Sequence, residues 1–166
     1  ALIELCYEAG ASKIFVGEGS AHVETYEAFV ASGMKEIVDK MRLDGIPIEF
    51  VDLNYDKNPN IGDFDAVNLG EYSLNKGFVY RVAHTVLEAD VIISVAKLKN
   101  HNGAGITVAL KNMIGVAPGG YYGFPKKQGN RDVLPHFSDA LGDSLSIYDL
   151  VWRTIIDLNR IVLGNY

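Results

Sequence analysis

One cysteine, Cys6, stands in 166 residues. No disulfide can form within the chain, and neither a four-cysteine zinc site nor a four-cysteine iron–sulfur cluster can be built from it. Cys6 lies among Leu2, Ile3, Leu5 and Ala9 at helical spacing and reads as a buried structural thiol. Long apolar runs are also lacking: nothing approaches the roughly 20 residues that span a bilayer, and no signal peptide is visible. A soluble, cytoplasmic protein without a membrane partner is the expectation. Basic residues are the minority charge, 15 Lys and Arg against 21 Asp and Glu, with a pI near 5.1. A broad basic face is therefore excluded, and general nucleic-acid binding with it. The 48% hydrophobic content is enough for a core, and the length fits one domain.

The most informative absence is local. Between Val91 and Arg131 there is no Asp or Glu, although the chain holds 21. The same window carries Lys97, Lys99, Lys111, Lys126, Lys127 and Arg131, with Gly103, Gly105, Gly115, Gly119, Gly120, Gly123 and Gly129. Glycine lets backbone N–H groups approach a ligand closely, and lysine supplies charge. A basic, glycine-rich window in an acidic chain points to a local anion site.

Hydrophobic periodicity organises the rest. Residues 2–9 read as a helix closed by Gly10, Lys13 to Gly17 as a strand, and Val23 to Val30 and Met34 to Leu43 as helices broken at Gly33 and stopped at Gly45. Ile46 to Leu53 reads as a second strand. Tyr55 to Lys76 reads as a long loop or a small inserted hairpin, Phe78 to Val82 as a strand, and His84 to Ala89 as a short helix. Val91 to Ala96, the most apolar strand candidate, is expected to be central. Helices are expected over Ile106–Ile114, Pro135–Leu141 and Ile147–Leu163. The alternation predicts an α/β fold, a mostly parallel sheet flanked by helices in three layers. Ala1 opens straight into a helical pattern with no Met, and Tyr166 follows a long helix. A single α/β domain over residues 1–166, excised from a longer protein, is expected.

In an open parallel sheet, ligands bind beyond the carboxyl ends of the strands. Here those ends are Gly17–Ser20, Asp52–Asn54 and Lys97–His101. Lys97 and Lys99, two apart on a strand, leave the same face and repel unless an anion lies between them; the competing reading is a frayed end with two solvated lysines. Gly103 and Gly105 precede the expected helix, whose free N–H groups suit an anion, and Thr107 adds a hydroxyl. The spacing is neither a Walker A loop nor G-x-G-x-x-G. Lys111-Asn112 follows one turn later on a largely apolar helix. There the ammonium needs a partner, either a ligand or a carboxylate such as Glu18 or Asp52. His101 and His136 suit general acid–base work. As a histidine pair they lack a third ligand, and no metal site is assigned. His84 reads as part of the fold. Gly119 to Lys127, with Tyr121, Tyr122 and Phe124, reads as a mobile flap over the site, against the rival view of a rigid packing loop.

The run Leu87 to His101, then Thr107-Val-Ala-Leu-Lys111-Asn112-Met-Ile-Gly115, then His136, resembles the family called domain of unknown function 362. So does the opening from Ala1 to Ser20. The resemblance implies association with a ferredoxin-like iron–sulfur module in the full-length protein. With a single cysteine, this chain alone is expected to bind no cluster. No established reaction comes with the resemblance, and the cofactor stays unknown.

Two functions fit. One is an enzyme on a small carboxylate or phosphate substrate: Lys97, Lys99 and Lys111 hold the anion, Gly103, Gly105, Thr107 and Asn112 supply donors, and His101 or His136 moves a proton. The alternative is a redox accessory or docking domain that works with a ferredoxin-like module.

Overall fold

The computed structural model describes residues 1–21, 23–56, 64–101, 104–123 and 147–164. Helix α1 (Leu2–Glu8) ends at Gly10, whose φ of 93° a side chain would resist. Strand β1 (Ile14–Glu18) follows, then α2 (Thr25–Ala31), α3 (Met34–Leu43) and β2 (Ile48–Asp52). β1 and β2 pair in parallel from Ile14↔Ile48 to Glu18↔Asp52, the right register for a strand–helix–strand crossover.

The polar stretch after β2 includes an inserted hairpin. β3 (Phe64–Asn68) pairs antiparallel with β4 (Val79–Ala83), and α4 (His84–Glu88) continues directly from β4. Asp56 caps α4 from outside the element. Its carboxylate accepts from the Thr85 N–H at 2.7 Å and the Thr85 hydroxyl at 2.5 Å.

The expected α/β class stands in its coarse sense, a mixture of helices and strands. The described strands form three two-stranded sheets, one parallel and two antiparallel, and not one mostly parallel sheet. Val91 to Ala96 is the main departure. Among the described residues this run pairs with no strand, and Val91 and Val95 are 76% and 71% exposed. The expected helix over Ile106–Ile114 is also divided. Its first residues form β6 (Gly105–Thr107), which pairs antiparallel with β5 (Lys99–His101). Only then do α5 (Ala109–Asn112) and a 3-10 turn (Met113–Val116) follow. The expected helix at Pro135–Leu141 lies outside the described residues.

The core lies where the hairpin meets the last helix, α7 (Ile147–Leu163). Val67, Leu69, Tyr80 and Val82 of the β3–β4 region pack with Met113, Val116, Tyr122, Leu158 and Ile161. Burying side chains of this size contributes about 1.5–3 kcal/mol each. α7 also carries a polar centre on its buried stripe. The Asp157 carboxylate accepts from the Ser73 hydroxyl (2.8 Å), the Tyr80 hydroxyl (3.0 Å) and the N–H groups of Leu74 (2.9 Å) and Asn75 (3.1 Å). Burial pushes the Tyr80 phenol well above its ordinary range, so it stays a donor.

By contrast, α1 buries no residue, and Leu5 and Tyr7 are exposed. Cys6 is only half-buried, short of the fully buried thiol its spacing implies. No helix among the described residues is long and apolar enough to cross a membrane.

Candidate functional site

The carboxyl ends of β1 and β2 meet through Asn54, which is fully buried. Its Nδ2 donates to the Ser20 carbonyl and the Thr25 hydroxyl, both at 2.9 Å, while its Oδ1 accepts from the Gly119 N–H at 2.7 Å. The Asn54 carbonyl accepts from the Gly120 N–H at 2.9 Å. A Cβ on Gly120 would fall 2.5 Å from that carbonyl oxygen, so only glycine permits the approach.

This junction packs the first part, residues 119–123, of the segment read as a flap over Gly119–Lys127. Gly119–Tyr122 forms a helical turn, α6, pinned to Asn54. Tyr122 is wholly buried, and its hydroxyl accepts from the Arg81 N–H at 2.7 Å. The first half of the loop is therefore the rigid packing alternative. Phe124, Lys126 and Lys127 lie outside the described residues. The polar end of β2 also serves the fold: Asp52 Oδ1 accepts from the Asn54 N–H at 2.9 Å, shaping the turn.

The basic cluster is built on the β5–β6 hairpin and α5, and α7 holds that unit in place. Asn159 of α7 donates to the Leu110 carbonyl at 2.8 Å, and Ala104 packs in a cluster with Val151 and Ile155. From the other side, Ser94 Oγ donates to the Ala109 carbonyl at 3.2 Å and accepts from Asn112 Nδ2 at 3.3 Å. Asn112 is thus a brace between α5 and the Val91–Ala96 run. The 3-10 turn carries this unit to the strand ends, where Gly115 approaches Gly19.

Within the unit, Lys99 is opposite Thr107 and His101 is opposite Gly105, whose φ is 69°. His101 Nδ1 accepts from the Ala104 N–H at 3.1 Å, so a neutral ring carries its proton on Nε2. Burial pushes the His101 imidazole down, and the ammonium groups of Lys111 and Lys99 push it further. Lys111 is half-buried, and its ammonium is pushed down by burial and by Lys99. Lys99, His101 and Lys111 therefore share one electrostatic neighbourhood. Among the described residues, none of Lys97, Lys99 and Lys111 has a carboxylate within 4.0 Å. Glu18 and Asp52 do not pair with Lys111. Thr107 is buried, and its Oγ1 has no hydrogen-bond partner among the described residues.

Lys97 is exposed in the segment before β5. Gly105 and Thr107 belong to a strand, so the helix start expected to supply N–H donors there is replaced by a hairpin. Gly103 and His136 lie outside the described residues.

His84 is integral to the fold, as its position implied. Its Nδ1 meets Asp65 Oδ2 at 2.5 Å, and its Nε2 meets Glu88 Oε1 at 2.9 Å. The hydrogen bond to Asp65 raises its pKa above the ordinary histidine range, with the charges of Asp65 and Glu88 assisting. The two carboxylates lie on opposite ring nitrogens, and no group of three His, Cys, Asp or Glu among the described residues could hold a metal ion.

A groove of about 700 Å³ lies elsewhere, at the amino ends of the strands, lined by Lys13, Tyr26, Lys35, Asp39, Arg42 and Glu49. Its charges are already matched: Lys13 pairs with Glu49 at 2.7 Å, Lys35 with Asp39, and Arg42 approaches Asp39 at 3.9 Å. Its size is larger than its chemical interest. Lys97, Lys99 and Lys111 have no such match among the described residues.

Fold and site together define a mixed α/β domain with a cationic hairpin free of carboxylate partners among the described residues. The chain belongs to the family described as domain of unknown function (DUF362), whose pattern matches residues 1–164. Neither a curated protein nor a solved structure matches it.

Proposed function

We propose that the β5–β6 hairpin and α5 form an anion-binding site, and that the domain acts as an enzyme on a small carboxylate or phosphate substrate. The observation that carries this reading is the proximity of Lys99 and Lys111 to each other and to His101, without a carboxylate partner among the described residues. Two like charges, one of them half-desolvated, raise the free energy of the empty site, and a bound anion relieves it. The Thr107 hydroxyl, without a partner among the described residues, adds a donor beside Lys99. Lys97 adds charge at the rim, and Asn112 braces the site. His101 moves the proton, because its pKa, lowered from an ordinary histidine, keeps the imidazole neutral at physiological pH. Gly103 and His136 stay in the proposal as a backbone donor and a second proton carrier.

The mostly parallel three-layer sheet is part of the same reading. A strand at Val91–Ala96 would bring Lys97–His101 to the edge shared by Gly19 and Asn54. Its support is the cost of leaving an apolar run with unpaired backbone in water. Protected amides at Ile92–Ala96 in hydrogen exchange are the expected result, and free exchange there would sink it.

A second reading, docking of a ferredoxin-like module in a longer cytoplasmic protein, is favoured by the exposure of Lys97 and Lys99. Thermal unfolding in phosphate against chloride at equal ionic strength tests the anion site. At a hundredfold excess over Kd, binding stabilises by about 2.7 kcal/mol, which raises Tm by about 5–10 °C. The Lys99→Gln, Lys111→Gln variant should lose that gain. An equal gain in wild type and variant would remove these lysines from the site.

A further inference from the structure

Lys111 offers a chemistry that anion binding alone does not use. We infer that Lys111 is a nucleophilic amine that forms an imine with the carbonyl of a small 2-oxo acid whose carboxylate is held by Lys99. The carboxylate part rests on the anion-site reading above, and the amine part stands on separate features. Lys111 is half-buried on a short helix held from two sides, by Ser94 at Ala109 and Asn112 and by Asn159 at Leu110. It has no carboxylate partner among the described residues, and the charge beside it is another ammonium, that of Lys99.

A lysine becomes a nucleophile under these two conditions, desolvation and a neighbouring cation, because both favour the neutral amine. Each unit by which it falls below an ordinary lysine raises the neutral fraction roughly tenfold. Burial and Lys99 both act in that direction here. Thr107, opposite Lys99 in the hairpin, holds a buried hydroxyl with no partner among the described residues, suited to the oxygen of the adduct.

The step balances without an oxidant or reductant. The Lys111 nitrogen pair attacks the carbonyl carbon, the carbonyl π pair moves to oxygen, and a proton passes from nitrogen to that oxygen, giving a carbinolamine. The hydroxyl then leaves as water with the second nitrogen proton, and a C=N bond remains. His101 is the neighbouring group able to relay these protons.

The test is reductive trapping. The full-length protein is incubated with pyruvate and cyanoborohydride, then read by intact mass and peptide mapping. Labelling should concentrate on Lys111, with little on the exposed Lys97. Lys111→Arg, which keeps the charge, should abolish it, and Lys99→Gln should slow it. Acetone, a ketone without a carboxylate, should label Lys111 more slowly than pyruvate. Phosphate stabilisation without trapping, or label spread evenly over Lys97, Lys99 and Lys111, overturns the imine and leaves the anion site standing. Loss of both responses overturns both. If Lys111→Arg fails to fold, the wild-type peptide map decides alone.

Discussion

Replacing Asp157 with alanine should destabilise the domain more than any surface change. The carboxylate accepts four donors: the Ser73 and Tyr80 hydroxyls and the Leu74 and Asn75 N–H groups, at 2.8 to 3.1 Å. It has no exposed surface. Ser73 can turn its proton fully to the Asn75 carbonyl, which already lies at 3.0 Å. The two N–H groups have no such choice, and Tyr80 already accepts from Asn75 Nδ2 at 2.8 Å. Each buried donor left without an acceptor costs about 1–3 kcal/mol. Removing a buried carboxylate also removes its desolvation cost, which offsets part of the loss. The net expectation is about 3 kcal/mol, a large share of the 5–15 kcal/mol that holds a domain together. In a chain of this length that lowers Tm by about 6–12 °C. Urea denaturation followed by far-UV circular dichroism measures it, with the exposed Asp44→Ala as control, expected within about 0.5 kcal/mol of wild type. An Asp157→Ala midpoint indistinguishable from that control would refute the claim that this network ties α7 to the β3–β4 hairpin.

Gly120→Ala forces a Cβ to 2.5 Å from the Asn54 carbonyl oxygen and should cost about 1–3 kcal/mol. Gly115→Ala, whose nearest contact is 3.8 Å, should be tolerated in the same thermal melt. His84 gains stability from its protonated form, because its folded pKa is raised by Asp65, with Glu88 assisting. That contribution is fully present below the unfolded histidine value near 6.5 and disappears as pH rises through the higher folded value. Denaturation midpoints of wild type and His84→Gln should therefore converge toward alkaline pH, and curves parallel throughout would contradict the pairing. Lys99→Gln should raise the His101 pKa in an NMR titration, since Lys99 is one of the charges depressing it. An unmoved His101 would show that the two side chains do not meet.

Elements whose signal is local were legible in the amino acids. α7 was bounded at Ile147 and Leu163 by its apolar period, and Gly10, Gly33 and Gly45 marked breaks where the backbone takes positive φ. The parallel β1–β2 pair followed from strand–helix–strand order, and the acid-free window located Lys99, His101 and Lys111 within one stretch. Periodicity describes one element and says nothing of its partner. That is why Val91–Ala96, the most apolar run in the chain, could be read as central when the structure leaves it exposed. It is also why Gly105–Thr107 could read as a helix start: the hairpin with Lys99–His101 competes through cross-strand hydrogen bonds that no helical period reveals. Asp157 did leave a trace, an acid on the buried stripe of α7 three residues after Thr154, but its donors lie 77 to 84 residues away. Asn54 and Gly120 likewise meet only because folding brings a strand end to a distant turn. The amino acids set which groups repel, cap or bury themselves. Only the tertiary structure decided which distant group answers each of them, because hydrogen bonds and charge pairs act over a few ångströms of space whatever the separation along the chain.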